Sequence, residues 1–570
     1  MKMATATVEP PRMGTRLLAL PPAHGMRLFE TENGPRILLL DDNARGYPWF
    51  ALLVPVQVNG PDVSVAVDDA QACDAEALFK VSSRFEIADR RDAYVLDVTW
   101  TDPMKQHDVL VLLLCFGLGL NSGGVEFGRG PQELLNGNRK IPIPNRWDDA
   151  LWGQVSCAVL KVLRSSPRSE LWRGLLRKAP PSRGNGPTTF ALASCLYPCD
   201  ILDHMPLRDA ARRGPADASL LALGQMLDGE VKAVEPASVP TLLVMAGDQV
   251  YVDATAGLFD PKSLDDQYRV PYETLFASRG AQAVFARRGF EIRMVIDDHE
   301  IVDNWQPIDQ PAGASGSVQK EISDNAGRCK QGIDAYWRYE CGLSTPPAAL
   351  APLWTPFEHR GLSFFLGDTR TERESRTAAS FRDKLIMSHR QSSALEGWMT
   401  AARCVNQYKF VVTPSILLPR RLAVCDEPDY AIQCDSWVGY PKSLYGLLAF
   451  ICESQVQKLV FLSGDEHLSC VAEVELSTAG KPSVRILSVH SSPLYAPYPF
   501  ANSRPEDFPA YDCFEFNAPG SGVRYRCTVR TRMGPPGDGF ALLTPQRDGV
   551  TVDFHRPAST AGPCRFTWPC

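Results

Sequence analysis

The segment Leu242-Leu243-Val244-Met245-Ala246-Gly247-Asp248-Gln249-Val250-Tyr251-Val252-Asp253 decides the fold class, because a short apolar run ends abruptly in acids and a phenol. The same pattern recurs at 293–300, which ends Ile296-Asp297-Asp298-His299-Glu300, and at 459–467, which ends Ser463-Gly464-Asp465-Glu466-His467. A further copy at 362–370 ends Gly367-Asp368-Thr369-Arg370. In layered α/β proteins, ligand sites lie at the carboxyl ends of strands. We therefore expect these segments to meet in one place.

Apolar strands alternate with longer connecting segments after residue 188, which predicts an α/β layered domain. Strands are predicted at 190–195, 241–246, 293–296, 362–366, 409–413 and 458–462, and helices at 318–339 and 436–453. Short alternating stretches between residues 15 and 101 indicate antiparallel β structure, and the apolar spacing at 148–176 is closer to helical. The expected organisation is a disordered N-terminus (1–14), a mainly-β domain with a helical segment (15–180), a catalytic domain (188–505) and a C-terminal extension packed on it (506–570).

The composition is that of a folded globular protein without a polyanion-binding character. The 570 residues include 59 Lys and Arg against 66 Asp and Glu, for a formal net charge of -7. This balance gives no basic surface for a stable nucleic-acid partner or for a membrane. The N-terminus has neither an apolar core nor an Arg-Arg pair, so we expect a cytoplasmic protein. The oligomeric state stays open.

Acids, thiols, phenols and imidazoles at strand ends are the donors that bind a pair of metal ions. Taken singly, each residue also fits an ordinary structural role. Asp248 fits a helix N-cap or a turn, and Asp297-Asp298 fits a capping or salt-bridge pair. Cys195 fits a buried thiol and Tyr251 an interface aromatic. Their joint occurrence at successive strand ends favours the metal site.

Five motifs, in their order along the chain, resemble the signatures of alkaline phosphatase D-like (PhoD-like) enzymes, a branch of the metallophosphoesterase superfamily. They are Gly247-Asp248-Gln249-Val250-Tyr251, residues 297–305, Asp368-Thr369-Arg370, residues 435–441 and residues 463–467. Ala193-Ser194-Cys195 is similar to the segment in which this branch places a cysteine ligand. The resemblance extends over residues 188–505 and implies a four-layer α-β-β-α sandwich, preceded here by the smaller mainly-β domain.

The resemblance also implies a dinuclear site and a role for each residue. The first metal, expected to be Fe(III), would be held by Cys195, Asp248, Tyr251 and His467. The second metal, expected to be Ca(II), would be held by the bridging Asp248 together with Asp298 and Asp465, with Asn304 as a further candidate. His299 would act on the leaving-group oxygen, and Arg370 would stabilise the developing phosphoryl charge. The same donors would accept zinc, manganese or magnesium.

The implied activity is metal-dependent hydrolysis of a small phosphoester, of the alkaline phosphatase or phosphodiesterase type. The dinuclear site would activate water for in-line attack on phosphorus. Two alternatives remain open at this point. The fold could serve as a non-catalytic scaffold or binding protein, or the metals could hydrolyse another kind of ester bond. His490 is given no role.

Overall fold

The protein divides into two compact units, residues 1–180 with 273–289, and residues 181–272 with 290–570. The computed structural model describes residues 16–20, 22, 24–31, 34–40, 47–59, 62–65, 78–80, 83–87, 90–100, 102–117, 125–127, 133–136, 139–142, 173–180, 187–197, 216–229, 239–253, 267–309, 315–343, 347, 351–401, 407–421, 434–496, 503–557 and 562–569. The predicted disordered N-terminus and most of the predicted helical segment at 148–176 lie outside these residues.

The first unit consists mainly of antiparallel strands. They are β1 (Arg16–Leu20), β2 (Met26–Thr31), β3 (Gly34–Leu40), β4 (Tyr47–Asn59), β5 (Asp62–Val65), β6 (Leu78–Lys80), β7 (Ser83–Ile87), β8 (Arg90–Asp97), β9 (Asp108–Gly117), β10 (Val125–Phe127), β11 (Glu133–Asn136), β12 (Arg139–Pro142) and β13 (Leu175–Leu176). Helices α1 (Asp102–Gln106) and α4 (Arg279–Phe285) belong to the same unit, and α3 (Val270–Ala277) begins in the second unit and ends in the first. This composition agrees with the predicted mainly-β character.

The second unit contains two sheets. Its strands are β14 (Phe190–Leu196), β15 (Leu242–Ala246), β16 (Glu291–Val295), β17 (Thr355–His359), β18 (Leu362–Leu366), β19 (Lys409–Val412), β20 (Leu459–Ser463), β21 (Cys470–Thr478), β22 (Val484–His490), β23 (Pro493–Tyr495), β24 (Tyr511–Asn517), β25 (Arg524–Met533), β26 (Phe540–Gln546), β27 (Gly549–His555) and β28 (Cys564–Pro569). Its helices are α2 (Ala218–Asp228), α5 (Ser317–Ala335), α6 (His389–Thr400) and α7 (Pro441–Glu453).

The strand order is β16-β15-β14-β26-β27-β28 in the first sheet, with β23 beside β14, and β17-β18-β19-β20-β22-β21-β25-β24 in the second. The central strands run parallel within each sheet: β14, β15 and β16 in the first, and β18, β19, β20 and β22 in the second. Strands buried on both faces carry continuous apolar runs, which explains why these segments were recognisable in the sequence.

The two sheets pack face to face through one apolar core. Phe190 of the first sheet makes edge contacts with Phe364 and Phe410 of the second, with ring centroids 5.2 and 4.9 Å apart. The other face of the second sheet is covered by α6 and α7, whose buried residues join a separate cluster. On the first sheet, Ser219 of α2 donates to the Leu494 carbonyl of β23. The predicted four-layer sandwich is confirmed.

The segment after residue 505 is part of both sheets and is more than the expected extension. Strand β26 lies beside β14, where Phe190 pairs with Leu543, and β27 and β28 follow it outward. Strand β25 pairs with β21, and β24 forms the last strand of the second sheet. The short alternating stretches of this region therefore bury one face against neighbours that are distant in sequence.

Gly464 allows the loop after β20 to approach the ends of β14 and β15. A Cβ at this position would lie 2.3 Å from the Ser194 Cβ and 2.7 Å from the Ala246 carbonyl oxygen. These contacts are with the first sheet, so Gly464 brings a loop of the second sheet against it.

Gly464→Ala is expected to lower the free energy of unfolding by about 2 kcal/mol, because the added methyl group has no space between the sheets. Urea unfolding followed by circular dichroism measures the change. Gly397→Ala is the control, since Gly397 lies on an exposed turn of α6 with nothing within 4 Å of the added atom. Equal stability of the Gly464 variant and the wild type would contradict the close approach.

Candidate metal centre

The residues predicted from four strand ends converge on one site in the second unit. Donor atoms of Cys195, Asp248 and His467 all lie within 4.8 Å of one another. Asp248 forms a second such group with Asp298 and His299, and a third group consists of Asp248, Asp297 and Asp465. Cys195 is the penultimate residue of β14, and the other side chains follow β15, β16 and β20. Asp248 is the member common to all three groups.

Four of these residues have left-handed backbone conformations. The φ angles of Cys195, Asp248, Asp465 and His467 are 50°, 56°, 78° and 52°. A non-glycine residue in this region costs on the order of 1 kcal/mol or more and persists only where the surroundings enforce it. Such strain concentrates at functional sites.

The candidate ligands contact one another directly. The Cys195 Sγ lies 3.5 Å from the Asp248 Oδ2, and the Asp465 backbone N–H donates to the same sulfur at 3.3 Å. The Tyr251 hydroxyl lies 3.5 Å from the Asp248 Oδ2 and 3.3 Å from the His467 Nε2. The thiol, the phenol, the imidazole and a carboxylate therefore point at a common volume.

Burial makes the anionic forms of these donors unfavourable in the protein alone. It raises the pKa of the Cys195 thiol, and the nearby Asp248 carboxylate raises it further. Burial likewise raises the pKa values of Tyr251, Asp248 and Asp465. A bound cation reverses this preference because its positive charge stabilises the thiolate, the phenolate and the carboxylates.

The donor set fits a pair of metal ions. The Asp248 Oδ1 is buried and accepts no hydrogen bond from the described residues, so the carboxylate retains an oxygen for a cation. Cys195, Tyr251 and His467 supply sulfur, phenol oxygen and nitrogen, which suit a transition metal, whereas Asp298 and Asp465 supply oxygen alone, which suits a harder ion.

His299 is oriented by an acid that the sequence reasoning did not assign. Its Nδ1 lies 3.0 Å from both oxygens of Asp253, and its Nε2 lies 3.8 Å from the Asp303 Oδ1. Burial lowers the pKa of His299, but Asp298, Asp248 and Asp253 outweigh it and raise the pKa well above the ordinary value. The orientation of the His299 ring is therefore fixed by Asp253. The residue Asp253 was visible in the sequence at the end of the 247–253 run.

Arg370, predicted to stabilise phosphoryl charge, lies among acidic side chains. It is fully buried, with its Nε 2.8 Å and its NH2 group 2.5 Å from the Asp297 Oδ1. The same NH2 group lies 3.3 Å from the Asp298 Oδ1 and pairs with Asp435. Because it forms ion pairs with three carboxylates, the Arg370 guanidinium holds those acids in position. The expected contact with a phosphoryl group therefore has no support in this geometry.

Asn304 and Asp435 have supporting positions. The Asn304 backbone N–H donates to the Asp298 Oδ2 at 2.6 Å, while its side chain donates to Asp303. Burial alone would raise the pKa of Asp435, but Arg370 and Arg373 hold it below its ordinary value. Asp435 lies in a motif recognised in the sequence, yet nothing in the sequence showed that it pairs with Arg370.

Glu300 holds the loops after β15 and β16 together. Its buried carboxylate accepts backbone N–H groups from Asp297 (2.7 Å), Asp248 (3.2 Å), Gln249 (2.6 Å) and Val250 (3.4 Å). Gln249 in turn donates to the Val295 carbonyl and to Glu340. Asp248 and Asp298 are thereby fixed relative to each other by a side chain that belongs to the same motif.

The sequence model of one family matches this part of the chain, over residues 233–510, and its description is PhoD-like phosphatase. The resemblance inferred from the motifs is confirmed, and the match supports a metal-dependent phosphoester hydrolase. Cys195 and strands β24–β28 lie outside the PhoD-like match.

Several solved structures are similar to the chain, and the three described here have TM-scores below 0.5. A structure of PhoD is 14% identical to this chain, with a TM-score of 0.48. The alignment covers 96% of this chain and 89% of the PhoD chain. A dimetal phosphatase from Danio rerio has 12% identity, a TM-score of 0.33 and coverage of 67% and 99%. GAP50, the anchor in the inner membrane complex of Plasmodium, has 11% identity, a TM-score of 0.30 and coverage of 68% and 89%.

No curated protein matches the chain. Among the described residues, none of the helices combines the length and the apolar character needed to cross a membrane.

Glu300→Gln is expected to lower the free energy of unfolding by about 2 kcal/mol, because an amide replaces a charged acceptor of buried N–H groups. Retention of metal should fall with it, since both loops lose their common anchor. Urea unfolding and element-resolved metal analysis measure the two effects. Glu475→Gln, on the exposed side of β21, is the matched control. A Glu300 variant that has the same stability and metal content as this control would show that the hydrogen bonds to the Glu300 carboxylate are dispensable.

The protein stripped of metal by a chelator is expected to lose stability as the pH rises from about 5.5 to about 8.5. Burial raises the pKa of Asp297 to about 8 and that of Glu300 to about 7. An acid with a raised pKa binds its proton more tightly in the folded chain than in the unfolded chain, so its deprotonation favours unfolding. The raised pKa of His299 also makes the folded chain less stable as the pH rises. Unfolding midpoints across this range, with and without metal, provide the measurement. A chelated protein that becomes more stable at the alkaline end would contradict the charge balance described here.

Proposed function

We propose that this protein hydrolyses small phosphoesters with two metal ions bridged by Asp248, acting on phosphodiesters and also on monoesters. The observation that supports the proposal is the shared position of Asp248. Its carboxylate lies within 4.8 Å of the Cys195 and His467 donors and equally of those of Asp298 and Asp465 in its other two groups. A single carboxylate with two distinct sets of neighbours is the arrangement that a bridging ligand requires.

The two sets of neighbours differ in chemistry. Cys195, Tyr251 and His467 would hold the first metal with Asp248, and thiolate and phenolate donors favour Fe(III) at this position. Asp298 and Asp465 would hold the second metal with Asp248, and oxygen donors favour Ca(II) there. When bound, such a pair of ions polarises phosphoryl oxygens and makes water a stronger nucleophile at neutral pH.

The residues of the chain contribute the remaining steps. The His299 imidazolium, held through its Nδ1 by Asp253, donates a proton from Nε2 to the oxygen of the departing alcohol. Arg370 offsets part of the negative charge of Asp297, Asp298 and Asp435, which reduces the repulsion among these acids when they are deprotonated.

The full-length protein should contain about two metal ions per chain and should hydrolyse bis(p-nitrophenyl) phosphate. Asp248→Asn is expected to lower this activity by at least roughly 100-fold, because both ions lose the bridging ligand. Cys195→Ala should lower the content of the transition metal more than that of the second ion. Element-resolved metal analysis and the release of p-nitrophenol provide the readouts, with Glu475→Gln as the control.

The other outcomes separate the rival functions. A protein with less than one metal ion per chain and no phosphoester hydrolysis after reconstitution with iron and calcium would be a scaffold. A metal-loaded protein that cleaves p-nitrophenyl acetate but neither p-nitrophenyl phosphate nor the diester would hydrolyse a different ester bond. Equal loss of both ions in Cys195→Ala would contradict the assignment of the donors.

A further inference from the structure

Three aromatic rings are in consecutive contact beside the proposed metal centre, and the first two of them are stacked. The ring centroids of Tyr197 and Tyr251 are 3.7 Å apart with an interplanar angle of 23°, and those of Tyr251 and His299 are 4.1 Å apart with an angle of 38°. Tyr251 is thus the middle ring. Its hydroxyl faces Asp248 and His467, whereas His299 is the proposed proton donor.

Tyr197 is anchored independently of the other two rings. It lies two residues after Cys195, and only 3% of its surface is exposed. Its backbone N–H donates to the Tyr495 carbonyl at 3.1 Å, next to the pairing of Leu196 with Tyr495 between β14 and β23. The preceding N–H, that of Leu196, donates to the Asp248 carbonyl at 2.8 Å. The backbone that carries Tyr197 is therefore tied to both Asp248 and β23.

A phenol oxygen is a useful ligand only when its ring is held still. Rotation about the Cα–Cβ bond of Tyr251 would carry its hydroxyl away from Asp248 and His467, and hydrogen bonds of 3.3 to 3.5 Å oppose this motion only weakly. A parallel ring at 3.7 Å does prevent it, because stacked rings resist displacement of either partner.

We propose that Tyr197 is a positioning residue that holds the Tyr251 phenol in the orientation that binds the first metal. The inference rests on the proposed function, because it assigns Tyr251 to that metal. It also explains why a large aromatic side chain is packed at the end of β14, directly after the strand that carries the cysteine donor. The ring of Tyr197 acts through Tyr251 and binds no metal itself.

The experiment compares the full-length wild type with Tyr197→Leu, Tyr197→Phe and Tyr251→Phe. Each protein is dialysed against a graded series of a competing chelator, and its transition-metal content is measured together with its visible absorption spectrum. Tyr197→Leu is expected to retain the transition metal roughly 10-fold less tightly, as is typical of a lost outer-shell partner. Tyr197→Phe keeps the ring and should restore wild-type retention and the wild-type spectrum.

A matched control separates positioning from general loss of packing. Tyr445 stacks on Phe516 in the second unit, with ring centroids 5.1 Å apart, and is half-buried. Tyr445→Leu removes a ring of the same size and should leave metal retention unchanged. Urea unfolding of both leucine variants shows how far each change affects stability.

The outcomes distinguish failure of this inference from failure of the proposed function. If wild type binds the metal and Tyr197→Leu binds it equally well with the same spectrum, the positioning role is wrong while the metal site stands. If Tyr445→Leu weakens retention as much as Tyr197→Leu, or if Tyr197→Phe behaves like the leucine variant, the stack is not the cause. A wild type that binds no transition metal overturns the proposed function and this inference together.

Discussion

The Glu300 carboxylate is the constraint on which the site depends. Two loops from neighbouring strands of the first sheet carry Asp248 and Asp298, and backbone N–H groups from both loops converge on this one side chain. Without a common acceptor, those buried N–H groups would lack partners, and each would favour a conformation open to water. The left-handed backbone of Asp248 is tolerated because the loop around it is held in this way. The hydrogen bonds to Glu300 therefore offset the backbone strain at the proposed metal ligand Asp248.

Charge balance gives the site its second constraint. Asp297, Asp298 and Asp435 lie close together in a dry interior, which isolated acids would avoid. Arg370 is placed among them with no exposed surface, so one cation is shared by three acids. Asp248 and Asp465 lie on the side of the cluster toward the Cys195 sulfur. A positive ion bound there would stabilise their carboxylates.

The sequence was informative wherever chemistry followed a buried strand. The strands carrying Asp248, Asp298 and Asp465 were recognisable because parallel strands covered on both faces are uniformly apolar, so the change to acids marks the strand end. The amino-acid sequence does not indicate which distant segments pair with each other. The position of Arg370 depends on acids from two other loops, and an arginine beside a phosphate site has two reasonable uses, as a substrate contact or as a counterion. The strands after residue 505 were underestimated for the same reason, since their partners β14 and β21 lie far back in the chain.

The position of β26 beside β14 has a consequence for the order in which the protein matures. Phe190 and Leu543 are neighbours in the sheet but are synthesised at nearly opposite ends of the second unit. During translation, the strand that carries Cys195 emerges early and waits for its partner until almost the whole polypeptide has left the ribosome. The edge of β14 that later pairs with β26 therefore stays open through most of the synthesis of this unit.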